Sequence, residues 1–202
     1  MNTARDLLLI TLDPEHGAPA DQGALSLALA GGELIDLMSV EAVAVPGERV
    51  VPGLAPSQDD DMLSQAVSSL VREQPYELVD DWLWRRGRGL AAEYVTRLRA
   101  EGLVARKPHR SMPARLMPGR PETLASAARR AAVARWEEGE PVLQALAAAL
   151  RRGDESAVDA SGLPDPVVTV LAAVGGAELE LEAERQRRSV ENAAFDNIWR
   201  GA

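Results

Sequence analysis

Few residues of this chain have the side-chain chemistry that catalysis or metal binding needs. Cysteine is absent from the 202 residues, which excludes disulfides, thiolate metal sites and a cysteine nucleophile. The two histidines, His16 and His109, each stand among turn residues, so we expect exposed loop histidines. Asp80 and Asp81 are adjacent, and neighbouring helix positions point in different directions, so these carboxylates would not share a proton. We therefore predict a non-enzymatic protein with no catalytic residue, no metal site and no cofactor.

Two glycine-containing stretches are candidates for phosphate binding. Gly31-Gly32 follows no strand pattern and lacks the spaced glycines of a nucleotide fingerprint, so close packing of a helix is the better interpretation. RRGRG at 85–89 has forked guanidinium groups and backbone N–H groups that can wrap a phosphate. The alternative for RRGRG is a solvated turn between two helices.

The basic residues are concentrated in one segment. The whole chain has a formal net charge of −9, yet between Trp82 and Arg120 ten Lys or Arg stand against two acids, a segment charge of +8. A cationic face on an otherwise anionic protein predicts a negatively charged partner. Six residues are the candidate sites for an anion or lipid: Arg85, Arg86, Arg88, Arg106, Lys107 and Arg110.

No stretch of the sequence is long enough to span a membrane. A spanning helix needs roughly 18 uninterrupted apolar residues, and the apolar stretch Ala24–Met38 is interrupted by Glu33 and Asp36. The apolar run before Asp13 is too short for the core of a signal peptide. We therefore predict a cytoplasmic protein.

Hydrophobic periodicity predicts a mainly α-helical protein with a single domain over residues 1–202. We expect a helical bundle around a buried central helix, with one or two short β-hairpins. Thr3 would cap a first helix that ends near Leu12, and Asp21 would cap a second. The glycines in this second helix cost it about 1 kcal/mol each relative to alanine, so a neighbouring helix should approach them closely.

The later segments continue the helical pattern. Apolar alternation over 42–51 predicts a hairpin with a tight turn at Pro46-Gly47, and LVARK followed by ARLM predicts a second hairpin that turns at 108–113. The acids at 59–61 suit a helix N-terminus. Leu90, Tyr94 and Leu98 predict a helix that ends at Glu101-Gly102. A helix around Val167–Val174 and one or two more over 181–199 would close the chain.

The run YVTRLRAEGLVARKPHRSMPARLM has the order of a winged-helix unit, in which a helix is followed by a strand, a basic turn and a second strand. A DNA-binding regulator that uses residues 88–118 is therefore the alternative function, and nucleic acid is a partner only in that case. The helix Leu90–Glu101 carries no Asn or Gln with which to read bases.

Four stretches, taken in order, resemble the Golgi phosphoprotein 3 family and its bacterial relatives. They are DLLLITLD, ALSLALAGGELIDLM, DDDMLSQAV, and YVTRLRAEGLV followed by a basic hairpin. The resemblance implies a mostly α-helical fold around a central bundle that includes the LALAGGELIDL helix. It also implies recognition of phosphatidylinositol 4-phosphate at a basic surface and adaptor contacts with the tails of membrane enzymes.

The residues of the family's lipid site carry over in part. Where the family has a tryptophan before the glycine-containing helix this chain has Asp21, and where it has an arginine before the small residues this chain has Ala30. Of two further arginines, one falls near Arg88 and the other near Ala91. The hairpin offers a bilayer only Met112. The resemblance thus predicts a peripheral adaptor on the inner face of the membrane that binds anionic phospholipid headgroups, with protein partners and a homo-oligomer as further expectations.

Overall fold

The computed structural model describes residues 2–17, 20–54, 60–106, 121–150 and 162–200. Eight helices and two short antiparallel strand pairs form this part of the chain, which confirms the prediction of a mainly α-helical fold with short hairpins. The elements in chain order are α1 (Thr3–Thr11), α2 (Gln22–Ser39), β1 (Val43–Ala44), β2 (Val51–Pro52), α3 (Asp61–Ser68), α4 (Val79–Arg86), α5 (Leu90–Ala100), β3 (Val104–Arg106), β4 (Pro121–Thr123), α6 (Ala127–Glu137), α7 (Pro141–Leu150) and α8 (Asp165–Arg200).

Helix α2 is the buried centre of the bundle, as predicted. The Asp21 side chain caps it by accepting hydrogen bonds from the backbone N–H groups of Gly23 at 2.8 Å and Ala24 at 3.1 Å. Every residue from Leu25 to Leu37 is buried. Six of the other helices, α1, α3, α4, α5, α7 and α8, pack against α2. The apolar composition of α2 on all sides therefore reflects burial within protein.

The two glycines of α2 lie where neighbouring helices come closest. A Cβ at Gly31 would lie 2.4 Å from Cγ2 of Val174 on α8, and a Cβ at Gly32 would lie 3.1 Å from the Cα of Ala4 on α1. A side chain at Gly31 would overlap a buried, branched neighbour. The prediction that close helix packing explains these glycines is confirmed.

Helix α1 begins one residue away from the predicted cap. Asn2 is the N-cap, and its side chain accepts a hydrogen bond from the backbone N–H of Arg5 at 2.8 Å. Thr3 is already helical, and its N–H donates to the buried carboxylate of Asp36 at 2.7 Å. Burial raises the pKa of Asp36 to about 7, because it outweighs the hydrogen bonds from Thr3 and Ala4. The prediction that Thr3 caps α1 was wrong. Thr3 lies within the helix, and Asp36, which is distant in sequence, accepts the hydrogen bond from its backbone N–H.

Two short antiparallel strand pairs form, and only the first joins the two segments that were predicted to pair. Ala44 pairs with Val51, so residues 45–50 form the connection instead of a two-residue turn, with Gly47 at φ 66. In the second pair, Val104 of β3 lies opposite Thr123 of β4. The partner of LVARK is therefore residues 121–123, and the predicted strand ARLM lies outside the described residues.

Helices α3 to α5 follow the predicted pattern. Asp60 caps α3 through the N–H groups of Met62 and Leu63. In α4, Trp82 is fully buried and its indole N–H donates to the carbonyl of Ala30 at 3.2 Å. Gly102, with φ 71, follows the last residues of α5 and provides the left-handed conformation that often ends a helix.

The chain closes with one helix where two or three were predicted. Helix α8 runs through Gly175 and Gly176 over 36 residues. Its first half is held by packing of Val170, Val174 and Ala177 in the core, and this tertiary contact overrides the low helix propensity of glycine. Among the described residues, no helix has both the length and the apolar character needed to cross a bilayer.

Candidate anion-binding site

The RRGRG stretch forms the turn between α4 and α5. A Cβ at Gly87 would lie 2.5 Å from the carbonyl oxygen of Leu83 and 3.3 Å from that of Ser26, so the turn sits directly on α2. Gly89 has φ 73 and leads into α5 without a side-chain cap. This arrangement leaves the side chain of the intervening Arg88 pointing away from the core.

Arg88 is exposed, and no hydrogen bond or ion pair to it is found in the part of the chain that the structure describes. It lines a cleft of about 340 Å³ between the start of α2, the α4–α5 turn and α8. The cleft walls include an apolar portion from two half-buried side chains, Trp84 and Leu181. The N-terminus of α5 adds a partial positive charge beside Arg88, so the local electrostatics favour an anion.

A second cation lies next to this cleft on α8. The Arg185 guanidinium donates to Asp21, the cap of α2, and a Cβ at Gly23 would lie 2.8 Å from the same guanidinium. Burial opposes ionisation of Asp21, but hydrogen bonds from Ala24, Arg185 and Gly23 outweigh it and lower the pKa of this carboxyl. Arg185 is therefore neutralised internally, although one third of its side chain is exposed.

Arg85, on the last turn of α4, is paired within the protein. Its guanidinium forms an ion pair with Glu77 at 2.6 Å, donates to the carbonyl of Ser69 at 3.0 Å and lies 5.2 Å from the ring centre of Trp82. The Arg85 side chain remains 41% exposed, while that of Glu77 is 8% exposed. Arg85 thus lies at the surface, but an internal carboxylate already balances its charge.

Arg86 faces the interior. Its Nε donates to Oε2 of Glu33 at 2.7 Å and its Nη2 donates to Oε1 at 2.9 Å, while the Tyr94 hydroxyl donates to the same Oε1 at 3.0 Å. Glu33 is fully buried, and burial raises its pKa although the hydrogen bonds from Arg86 and Tyr94 oppose that shift. The Arg86 side chain is only 10% exposed. In this structure its ion pair with Glu33 links α4 to the centre of α2.

The other candidates fall at the limit of the described chain. The backbone of Arg106 pairs with Pro121 in the β3–β4 ladder, whereas the Arg106 side chain, Lys107 and Arg110 lie outside the described residues. The six candidates were predicted to share one face. Of the three described side chains, one is free at the surface, one is paired at the surface and one is internal.

Exposed arginines without a described partner also occur away from the cleft. Arg72, Arg99 and Arg130 are all exposed, and none forms an ion pair with a described residue. Exposure alone therefore does not single out Arg88. Arg130 also borders a cleft at a helix N-terminus, but Glu15 and Glu137 line that cleft too. Arg88 differs because no acidic side chain lines its cleft.

One histidine departs from the expectation of an exposed loop residue. His16 is partly buried, with Nδ1 at 3.1 Å from Oδ1 of Asp13 and Nε2 at 3.6 Å from Glu137. Ligand atoms of Asp13, Glu15 and His16 lie within 4.8 Å of one another. Arg129 already pairs with both carboxylates of this group, so a cation would have to compete with a guanidinium there.

Sequence reasoning missed Trp84, which lines the cleft, and Arg185, which lies beside it. Trp84 was missed because Trp82, two residues earlier, is the tryptophan of α4 that points into the core. Arg185 lies four residues after Leu181 on the same side of α8, a signal that has meaning only once α8 is known to lie against the start of α2.

Comparison with known proteins identifies a family for this chain. A search of curated proteins finds no match to the chain. The family model of Golgi phosphoprotein 3 (GPP34) matches residues 4–198, nearly the whole chain. Together with the helical architecture around α2, this match shows that the chain belongs to the Golgi phosphoprotein 3 family.

Proposed function

We propose that this chain is a non-enzymatic binding protein that attaches peripherally to membranes through anionic phospholipid headgroups. The headgroup phosphate would bind at the cleft bordered by Arg88, Gly89 and Trp84. In this proposal the protein is an adaptor at the inner face of the membrane. Family membership supports a role of this kind.

The observation that carries the proposal is the free charge of Arg88. Arg85 and Arg86 have carboxylate partners within hydrogen-bond distance, and recruiting them would first require breaking those pairs. Arg88 has no such partner among the described residues, so its whole charge is available to a ligand. The dipole at the start of α5 acts in the same direction, whereas the first N–H groups of that helix already donate within the protein, that of Ala91 to the Ser26 hydroxyl.

The shape of the cleft fits a molecule that is both charged and apolar. Trp84 and Leu181 form apolar wall beside the cation, and an indole suits the boundary between headgroups and acyl chains. A single basic residue near an anionic surface contributes about 1 kcal/mol. Attachment through one site is therefore weak and depends on the lipid composition and on salt.

The test is sedimentation of the full chain with liposomes. Vesicles of phosphatidylcholine alone would be compared with vesicles that contain phosphatidylserine, or phosphatidylinositol 4-phosphate at matched charge. We expect binding that rises with anionic lipid and falls as salt is added. The two anionic lipids distinguish a general charge requirement from recognition of the phosphoinositide.

The variant Arg88→Glu should lower the partition coefficient by about 30-fold, because it replaces one attractive charge with a repulsive one at about 1 kcal/mol each. Arg130→Glu is the matched control, since Arg130 is exposed and unpaired in the described chain but lies on α6. Equal effects of the two variants would contradict a site at Arg88. If the protein does not bind vesicles but retards duplex DNA saturably in gel electrophoresis, the winged-helix alternative would be favoured instead.

A further inference from the structure

The buried helix α2 carries a row of polar groups on one side. Ser26 and Glu33 are both buried and are seven residues apart, about two turns of a helix, so they lie on the same side. The backbone carbonyl of Ala30 lies between them and accepts a hydrogen bond from the indole of Trp82 at 3.2 Å. We call Ser26, the Ala30 carbonyl and Glu33 the polar row. Polar groups in an apolar core are stable only with correctly placed partners, so the row restricts what can pack there.

The polar row holds both helices that flank the α4–α5 turn. The Ser26 hydroxyl accepts a hydrogen bond from the backbone N–H of Ala91, at the start of α5, at 3.1 Å. The Glu33 carboxylate accepts hydrogen bonds from Nε of Arg86, at the end of α4, at 2.7 Å and from the Tyr94 hydroxyl of α5 at 3.0 Å. One side of α2 therefore anchors the chain both before and after the turn.

The hydrogen bonds within the turn are local. The N–H of Gly87 donates to the carbonyl of Leu83 at 2.9 Å, and that of Leu90 donates to the carbonyl of Gly87 at 3.3 Å. Such bonds set the shape of the turn but not its position relative to α2. Arg88 directly follows Gly87, so the direction of its side chain depends on where the polar row holds the two flanking helices.

An ion pair is not the most stable way to join α4 to α2. Apolar residues of similar volume in place of a buried ion pair are often equally stable or more stable. The ion pair adds direction, because Arg86 reaches both carboxylate oxygens of Glu33 only at one rotation and one height of α4. Apolar side chains would pack in several arrangements. Stability alone therefore does not account for Glu33, whereas a requirement for one position of α4 does.

We infer that Glu33 is a positioning residue for the cleft at Arg88. By holding Arg86 and Tyr94 on α2, Glu33 fixes the α4–α5 turn and with it the direction of the Arg88 guanidinium. Glu33 does not line the cleft, so it acts on a ligand only through these contacts. The effect of Glu33 on binding rests on the proposed function, but its effect on the position of Arg88 does not.

The first test replaces the buried polar contacts of Glu33 by apolar ones. We call the triple variant Glu33→Leu, Arg86→Met, Tyr94→Phe the apolar variant; its net charge is unchanged because one acid and one base are removed. All members of the contact are replaced together, so we expect a urea midpoint no lower than that of the natural chain. The partition coefficient on phosphatidylserine vesicles should nevertheless fall about fivefold, which corresponds to the loss of one cation at about 1 kcal/mol.

A double-mutant comparison shows whether this loss acts through Arg88. In an Arg88→Gln background the apolar substitutions should lower vesicle binding no further, because residues that act as a unit are not additive. The matched control is Asp6→Leu with Arg135→Met, which removes a partly buried ion pair between α1 and α6 from residues that do not line the cleft. Equal losses with and without Arg88, or an equal loss in the control, would overturn the inference.

The second test follows the position of residue 88 without any ligand. Because the chain contains no cysteine, Arg88→Cys and Arg130→Cys together introduce two thiols at exposed positions, the second on α6. Nitroxide labels on both thiols give a distance distribution by pulsed electron paramagnetic resonance. We expect this distribution to widen or shift when the apolar substitutions are added, and identical distributions would overturn the inference. If Arg88→Gln leaves vesicle binding unchanged, the proposed function fails and the distance measurement alone decides the role of Glu33.

Discussion

Replacement of Arg86 by alanine tests whether the basic segment serves the interior as well as the surface. The change Arg86→Ala removes both hydrogen bonds to the fully buried Glu33 and leaves only the hydroxyl of Tyr94 as its partner. A buried carboxylate that loses its cation is unstable and takes up a proton instead. The loss should therefore appear as reduced stability that depends on pH.

The size of the effect follows from the ordinary pKa of the group. Glu33 has an unperturbed value of 4.5, and keeping such a carboxyl neutral costs about 1.4 kcal/mol per pH unit above that value. The cost of a neutral Glu33 is then about 3.4 kcal/mol at pH 7 and about 0.7 kcal/mol at pH 5. Because burial already raises the pKa of Glu33 when Arg86 is present, these values are upper limits for the loss that Arg86→Ala adds. In the variant the folded-state pKa is raised above the unfolded one, so stability is retained at low pH and lost as the pH rises.

Urea unfolding followed by tryptophan fluorescence at pH 5, 6, 7 and 8 measures this loss. The control is Arg85→Ala, because the neighbouring Arg85 is 41% exposed and a solvent-screened pair contributes about 1 kcal/mol or less. Adding Glu33→Gln to Arg86→Ala should remove most of the pH dependence. A loss from Arg86→Ala no larger than that from Arg85→Ala, or one of equal size at pH 5 and pH 7, would refute this reasoning.

Two further predictions concern packing and ionisation, and both are measured as free energies of unfolding in urea. Gly31→Ala should lower the free energy of unfolding by about 1–3 kcal/mol, because its methyl group would overlap Val174. Gly175→Ala meets no described neighbour and should raise the free energy of unfolding by about 0.5–1 kcal/mol. Equal changes in the two variants would contradict the packing argument. Burial raises the pKa of Glu178 to about 8, and its Oε1 has no hydrogen-bond partner in the described structure, so the carboxyl destabilises the fold as the pH rises toward 8. Glu178→Met should therefore be more stabilising at pH 8 than at pH 5 by about 1–3 kcal/mol, and a gain that does not change with pH would argue against an ionising carboxyl.

The central helix could be predicted because its signals are local. Asp21 supplies the cap, the apolar residues from Leu25 to Leu37 fill a helix on all sides, and Gly31-Gly32 fits no nucleotide fingerprint. Each of these can be recognised within one 18-residue window. The residues that pack against these glycines are Ala4 and Val174. They could not be predicted from the same window because they lie in other parts of the chain.

The continuity of α8 could not be predicted for the opposite reason. Gly175 and Gly176 lower the local preference for helix, and the predicted helices accordingly stop at Val174 and resume at residue 181. Packing of Val170 and Val174 against α2 stabilises the first half, and the ion pair between Glu184 and Arg188 adds to the second. The full length of a helix that depends on such contacts cannot be predicted from the sequence of the helix alone.

The roles of the arginines could not be separated by counting charge. Arg85, Arg86 and Arg88 are equivalent in a sum of +8, yet the structure gives them three different surroundings. The partner of Arg86 is Glu33, fifty-three positions earlier, and sequence alone offers no rule that connects the two. Net charge over a segment therefore overstates the charge that a ligand can meet.

The position of α2 at the centre of the bundle also sets an order of events during synthesis. Gly31 emerges from the ribosome early, but Val174, which covers it, follows more than 140 residues later. At about 5–20 residues per second the nascent chain exposes this apolar helix for on the order of ten seconds. Chains that stop before residue 165 would keep that surface uncovered, so we expect them to aggregate or to occupy chaperones.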